Sequence, residues 1–164
     1  MFGRIFPRQI DNAYRGHAAA VWLLAATVLG KLLMGANVAG LNPWLSNRFV
    51  LKDADHIAID TFGAEAASSV MFSFASWGLA LLVLSLLGVA VLIRYRAMIP
   101  LMFLLLSIEH FGRWEIARLN PIVRTVRGQG FSSGALSINY AFMAMLALGL
   151  VLSLLNTSDL AKRT

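Results

Sequence analysis

The chain has 164 residues, of which 59% are hydrophobic and only 13% charged, and its mean hydropathy is +0.72. An average soluble domain is about 45–50% apolar and about 25% charged, so the composition excludes an ordinary soluble globule and indicates an integral membrane protein. The absence of cysteine excludes disulfide scaffolds, thiolate metal sites and thiol-based redox chemistry. The net charge of +6 is expected to lie in the loops that hold the topology or contact anionic lipid head groups. No nucleic-acid-binding module fits between the apolar segments.

Four apolar stretches follow one another along the chain. A transmembrane helix needs about 20 mainly apolar residues, and three of the stretches reach that length without help. The pattern predicts an all-α fold, a four-transmembrane-helix bundle that forms a single membrane domain over residues 1–164. The predicted helices cover about 17–42, 66–93, 97–118 and 133–156.

The third stretch, Ala97–Ile108, is short. At 1.5 Å per residue it rises only about 18 Å, whereas the hydrocarbon layer is about 30 Å thick. To cross the membrane, this helix must continue through Glu109, His110 and Arg113. A re-entrant segment is the alternative, but the position of the Asn120-Pro121 breaker favours a full span.

Residues 45–65 form the longest connection, between the first two helices. Arg48-Phe-Val-Leu and Ile57-Ala-Ile-Asp-Thr-Phe are rich in β-branched or alternating residues and flank a turn-rich segment around Asp53 and Asp55. This pattern predicts a small extracytoplasmic hairpin over the mouth of the bundle. The Asp-x-Asp pair lacks the glycine and the terminal glutamate of a calcium-binding loop, so no metal site is expected there.

Four spans place both termini and the Arg94/Arg96 connection on one side of the membrane. Apart from Lys31, that side has seven Lys and Arg residues and the other side has six. This weak positive-inside bias, together with the basic N-terminal tail, predicts cytoplasmic termini in a bacterial-type inner membrane. The basic third connection, with Arg118, Arg124 and Arg127, is interpreted as facing lipid head groups.

Lys31 and Glu109 are charged residues within predicted spans. Lys31 lies 14 residues after His17, and Glu109 lies 12 residues after Ala97, which corresponds to rises of about 21 and 18 Å. Because the first and third helices run in the same direction, the two side chains are level in either orientation of the bundle. Ionisable groups at such depth are costly and usually mark function or a specific pairing.

These two residues suggest a polar pocket in the outer half of the bundle. In this hypothesis, Lys31 and Arg113, one helical turn from Glu109, hold the Glu109 carboxylate, and neighbouring polar groups bind a ligand or relay protons. The alternative is purely structural, with a snorkelling lysine and a simple i,i+4 ion pair. The candidate site residues are Lys31, Glu109, His110, Arg113, Asn139 and Tyr140, and the second helix brings Ser73, Ser76 and Trp77 to a similar depth.

No cofactor is expected from the three histidines. His17 lies at the inner end of the first helix and His110 about 20 Å further across, while His56 is in the outer loop. These separations argue against a bis-histidine haem and against a three-histidine zinc site. Motifs of serine nucleophiles, phosphate-binding loops and His-Glu-x-x-His metal sites are also absent from the sequence.

Several segments between Leu24 and Trp114 resemble those of a known family. They are the Gly30-Lys31-Leu32 step, Arg94-Tyr-Arg96 leading into Pro100-Leu-Met-Phe, and Glu109-His-Phe-Gly-Arg113. With the helix order, they make the chain similar to the small bacterial DoxX-like membrane proteins. The resemblance implies an accessory membrane component more than an enzyme. That superfamily is linked in part to thiol and oxidative-stress systems, but the lack of cysteine argues against a direct thiol role here.

The sequence therefore favours a non-catalytic accessory or assembly subunit, with a membrane-protein partner or a second copy of the chain. The alternative is a binder or carrier of a small amphipathic molecule, a quinone or a lipid, in the outer pocket. A membrane enzyme with Glu109 or His110 as acid or base is a third hypothesis, for which the sequence offers no nucleophile.

Overall fold

The computed structural model describes residues 2–121 and 133–155, and within these ranges every regular element is helical and no strand occurs. Short 3-10 turns precede two of the long helices, at Ile59–Thr61 and Arg96–Met98. The α-helices are α1 (Phe2–Ile5), α2 (Ala18–Val38), α3 (Asn47–Asp53), α4 (Ala64–Arg94), α5 (Ile99–Leu119) and α6 (Ser133–Leu154).

Three helices, not four, are long and apolar enough to cross a membrane: α2, α4 and α6. The prediction of four spanning helices is thus confirmed for three of them, and the short third stretch, now α5, is the exception. This helix has 21 residues and continues unbroken through Glu109, so its length of about 31 Å would suffice. It fails on composition, because Glu109, Arg113, Glu115 and Arg118 crowd its second half.

The helices do not contact one another equally. α2 packs mainly on α4 and secondarily on α6, α5 packs on α6, and α4 and α5 touch only sparsely. Glycine allows the closest approach: a Cβ built on Gly78 of α4 would lie 2.3 Å from the backbone nitrogen of Ala39. Small residues at such positions let membrane helices pack backbone to backbone. Because α4 and α5 make few contacts, an open groove remains between them.

A buried apolar cluster forms the centre of the bundle, and large apolar side chains also cover its outside. Trp22, Phe72 and Leu148 are exposed on the outer faces of α2, α4 and α6. An exposed apolar surface of this extent is unusual for a soluble monomer and is expected for helices that face lipid. The central cluster includes Leu24, Val28, Phe103, Leu106 and Leu146.

The N-terminal segment is tied across one end of the bundle. The Ala97 backbone N–H donates to the carbonyl oxygen of Asp11 over 3.2 Å, and the His17 N–H donates to Leu152 over the same distance. The Arg4 guanidinium donates to the Leu154 carbonyl over 2.7 Å. The segment therefore joins the starts of α2 and α5 to the end of α6.

The segment between α2 and α4 corrects the prediction of a hairpin. Arg48-Phe-Val-Leu lies in α3, and the Ser46 side chain caps that helix by accepting from the Arg48 N–H over 3.2 Å. A four-residue apolar run fits a strand or a helix equally, and a serine N-cap favours the helix. His56 then turns the chain with a φ of 55°. Leu51, Ile57, Ile59 and Ala67 pack together there as a second cluster, the outer cluster.

Charge differs between the two ends of the bundle. In the described part of the chain, the end with the N terminus has five arginines and one acidic residue, Asp11, whereas the end with α3 has three basic and five acidic residues. Arg94 and Arg96 are two of the five arginines at the end with the N terminus. The predicted basic groups at Arg124, Arg127, Lys162 and Arg163 lie outside the described residues.

Candidate functional site

An ion pair between α2 and α5 forms the centre of the candidate site. Lys31 has no exposed side-chain surface, and its ammonium donates a hydrogen bond to Oε2 of Glu109, whose side chain is 19% exposed. The two side chains meet, as expected from counting along two helices that run in the same direction. Because a buried charge is costly without a partner, this pairing is what makes a lysine within α2 tolerable.

The second oxygen of Glu109 accepts from two further side chains. Arg113, four residues along α5, donates through Nε over 3.3 Å, and the indole nitrogen of Trp77 donates over 3.4 Å. Glu109 thus receives hydrogen bonds from α2, α4 and α5. The Glu109 side chain is therefore held in place by groups from three helices.

Two aromatic rings accompany the cations. The Arg113 guanidinium carbon lies 4.6 Å from the centre of the Trp77 ring, and the Lys31 ammonium lies 5.5 Å from that of Phe142. Both are cation–π distances. Gly30 makes room for Phe142, because a Cβ at Gly30 would come within 2.8 Å of that ring. Trp77 and Phe142 were not among the predicted site residues, although counting along the second helix had already placed Trp77 at a depth similar to that of the site.

His110 is almost fully buried, with 1% exposure. Nη2 of Arg113 lies 3.4 Å from its Nδ1, and an arginine can only donate in such a contact. Among the described residues, Nε2 has no hydrogen-bond partner. The ring packs against Phe111 and Phe142, with centroids 5.9 and 6.1 Å away. His110 is therefore a buried wall of the site.

Asn139 and Tyr140 lie on α6 but point elsewhere. The Asn139 amide donates to the Ala135 carbonyl of its own helix over 2.9 Å. Tyr140 is 56% exposed and its ring lies 6.0 Å from that of Trp114. Within the described ranges, neither side chain hydrogen-bonds to Lys31, Glu109 or Arg113. Counting residues gives the depth of a side chain but not the rotation of its helix.

The gap between α4 and α5 is an open groove of about 630 Å³. Glu109 and Trp77 lie at one end of it, and apolar side chains of α4 line the rest. The groove therefore combines a long apolar wall with a single hydrogen-bonding end, and we call it the α4/α5 groove. Its other lining residues are Ser76, Leu79, Ala80, Leu81, Val83, Leu84 and Leu87.

The cluster of Lys31, Glu109 and Arg113 has two cations and one anion. Such a group can orient a polar head through hydrogen bonds, since lysine and arginine donate and a carboxylate accepts. Within residues 2–121 and 133–155, no three His, Asp or Glu side chains lie close enough together to hold a metal ion.

Comparison with known proteins gives no significant match to a family model, to a curated protein sequence or to a solved structure. The resemblance to DoxX-like proteins therefore stays a prediction from the sequence.

Proposed function

We propose that this protein is a membrane protein that binds a small amphipathic molecule, a quinone or a neutral lipid, in the α4/α5 groove. The observation that carries the proposal is the position of Glu109 and Trp77 at one end of an otherwise apolar groove. Ligand sites commonly combine a mainly apolar wall with a few fixed polar groups. A groove open toward the surrounding hydrocarbon would receive its ligand directly from the bilayer.

The donors and acceptors favour an uncharged head group. The carbonyl oxygen of a quinone or an ester would accept from the Trp77 indole, whose bond to Glu109 is long at 3.4 Å and therefore easily shared. A hydroxyl group would donate to the Glu109 carboxylate. An anionic head would meet Glu109, the charged residue of the groove lining, while Lys31 and Arg113 are already paired with that carboxylate. The ligand tail would follow Leu79, Val83 and Leu87 along α4.

In this proposal α5 is a fourth membrane-spanning helix. Its charges are paired: Glu109 with Lys31 and Arg113, and Glu115 with Arg118 near the helix end. Pairing reduces the cost of charges at membrane depth. The arginine-rich end of the bundle would face the cytoplasm of a bacterial-type inner membrane, in accordance with the positive-inside rule.

A second candidate function is that of a non-catalytic accessory or assembly subunit. It is supported by the sparse contact between α4 and α5, which leaves Leu79 and Val83 exposed along the groove. A transmembrane helix of a partner protein, or of a second copy, would then cover these side chains. Both candidates use the same groove, so one experiment can distinguish them.

The experiment compares two tryptophan substitutions on α4. Leu79 lines the groove and is 58% exposed, whereas Leu86 is not part of its lining and is 57% exposed. Leu79→Trp should block the groove, and Leu86→Trp is the matched control. The wild type and both variants are extracted in mild detergent, and native mass spectrometry is combined with lipid extraction to identify what each retains.

Ligand binding predicts that a quinone or neutral lipid is retained by the wild type and by Leu86→Trp but lost from Leu79→Trp. If a stoichiometric protein partner is lost instead, the accessory-subunit function is correct. Equal retention of the ligand by the two variants would refute the α4/α5 groove as its site. A wild type that retains neither ligand nor partner, and binds no added short-chain benzoquinone, would refute both candidates.

A further inference from the structure

A second cleft lies at the end of the bundle that carries the N terminus. Its volume is about 380 Å³, and three of its lining residues are Arg4, Arg8 and Arg15. It opens between the N-terminal segment, the start of α5 and the end of α6, where Ala97, Pro100 and Ser153 form part of its wall. We call it the arginine cleft. It is separate from the α4/α5 groove, with which it shares no lining residue.

Backbone contacts frame the arginine cleft. Asp11 and His17 are hydrogen-bonded to Ala97 and Leu152, so the segment between them is fixed at two points. Gly16 lets the segment lie against α6, because a Cβ there would come within 2.5 Å of the Ser153 carbonyl oxygen. Backbone contacts with the helices therefore hold the walls of the cleft in place.

The charge of the cleft is positive. Asp11 is the one acidic residue of the lining, and its carboxylate accepts from the Ala13 N–H over 3.0 Å. No ion pair joins Arg4, Arg8 or Arg15 to a carboxylate in the part of the chain that the structure describes. Arg4 uses one nitrogen for the Leu154 carbonyl, and an arginine has five donor hydrogens. Ample donors remain for an anion.

Tyr14 adds a hydroxyl group to the lining. Burial raises the pKa of Tyr14 to about 12, so the phenol stays protonated at neutral pH. Its hydroxyl group donates to the His17 carbonyl oxygen over 3.2 Å. The Tyr14 hydroxyl therefore adds no negative charge that would oppose an anion.

The same segment carries exposed apolar side chains. Phe6 is 57% exposed and Ile10 is 60% exposed, and they alternate along the chain with Arg4 and Arg8. Exposed apolar and basic residues together are typical of a segment at the boundary between head groups and acyl chains. The arginine cleft lies at this level, beyond the ends of the three apolar helices.

From these observations we infer that the arginine cleft binds the phosphate of an anionic phospholipid, with Phe6 and Ile10 in contact with the acyl region. Arginine suits this role because its planar donors match phosphate oxygens. The neighbouring hydrocarbon is the reason to prefer a lipid phosphate over a soluble one. This inference does not depend on the function proposed for the α4/α5 groove.

The test is a lipid titration of two double variants, followed by native mass spectrometry. Arg8→Gln with Arg15→Gln removes two exposed arginines from the cleft, and Arg94→Gln with Arg96→Gln removes two exposed arginines from the same end of the bundle but outside the lining. Each protein is titrated in detergent with phosphatidylglycerol and, separately, with phosphatidylcholine. Matched thermal midpoints show that both variants remain folded.

The wild type should prefer phosphatidylglycerol, and Arg8→Gln with Arg15→Gln should weaken its binding by at least about tenfold. The control pair should stay within about threefold of the wild type. Equal losses in the two double variants would overturn the proposal, since they would indicate net charge without a site. Displacement of the lipid by millimolar inorganic phosphate would also overturn it, in favour of a soluble phosphate ligand.

Discussion

Lys31 and Glu109 form a polar link between two helices that otherwise meet only through apolar side chains of the central cluster. α2 makes most of its contacts with α4 and α6, yet its one internal lysine extends to α5 and pairs with a carboxylate there. The ion pair is therefore a specific polar contact beside an apolar interface, and its loss should destabilise the packing of both helices.

Removing either partner should destabilise the protein. Lys31→Met leaves Glu109 with Arg113 and Trp77, whereas Glu109→Gln leaves a buried ammonium without an anion. An unpaired buried charge costs about 3–5 kcal/mol, so Glu109→Gln should lower the thermal midpoint in detergent more than Lys31→Met. The double variant should be less destabilised than the sum of the two single variants.

Arg118→Gln is the control for that comparison, because it breaks the exposed Glu115–Arg118 pair and should cost less than about 1 kcal/mol. Additive effects of Lys31→Met and Glu109→Gln would show that the two side chains do not interact.

Gly78 should be intolerant of a methyl group. The Cβ of Gly78→Ala would lie 2.3 Å from the Ala39 nitrogen, and a backbone atom cannot move aside without separating α2 from α4. We expect a loss of about 1–3 kcal/mol, measured by thermal or denaturant unfolding. Gly112→Ala on α5 meets nothing within 4 Å and should be neutral or slightly stabilising. Equal midpoints for the two variants would contradict the close approach.

Asp60 should make the outer segment sensitive to acid. Hydrogen bonds from Lys52 and Arg48 of α3 lower the pKa of its carboxyl below the usual 3.8. A depressed pKa in the folded state gives stability that is present above pH 3.8 and is lost as pH falls through the folded-state value. Asp60→Asn should therefore lower the thermal midpoint at neutral pH and make no difference in strong acid. The effect should be small and should shrink in 1 M salt, because the pair is exposed.

The orientation of the bundle can be measured by cysteine labelling, because the chain has no cysteine of its own. Thr61→Cys lies at the end with α3, and Asn12→Cys lies in the N-terminal segment, both at exposed positions. With cytoplasmic termini, an impermeant thiol reagent should label intact cells at position 61 and should label position 12 only after lysis. The opposite pattern would invert the topology but leave the Lys31–Glu109 pair unchanged.

Much of the geometry of the candidate site follows from a constant helical rise. Counting along two parallel helices was enough to bring Lys31 level with Glu109, and the four-residue spacing placed Arg113 beside that carboxylate. Rotation about the helix axis depends on packing with neighbours, which counting does not reveal. For this reason Tyr140 pairs with Trp114 outside the cluster, and Phe142 covers Lys31 without having been predicted.

The outer segment shows a different limit of sequence reasoning. Phe49, Val50 and Leu51 suit a strand by residue type, but the N-cap at Ser46 begins a helix. The charge pattern of α5 was read correctly as a conflict between length and polarity. The predicted pairing of Glu109 with Lys31 and Arg113 is present, but the sequence did not reveal that the Trp77 indole of α4 also donates to that carboxylate.

α4 has 31 residues and is about 46 Å long, which is more than the roughly 30 Å of hydrocarbon that a bilayer provides. With the rest of α4 in a bilayer, its first turns, with Ala67 and the outer cluster, would extend into water. Water drives apolar burial in that cluster, whereas the helices within lipid are held by packing. Since water-driven burial weakens on cooling, low temperature should loosen the contact of Leu51 and Ile59 with α4 before it affects the contact between Gly78 and Ala39.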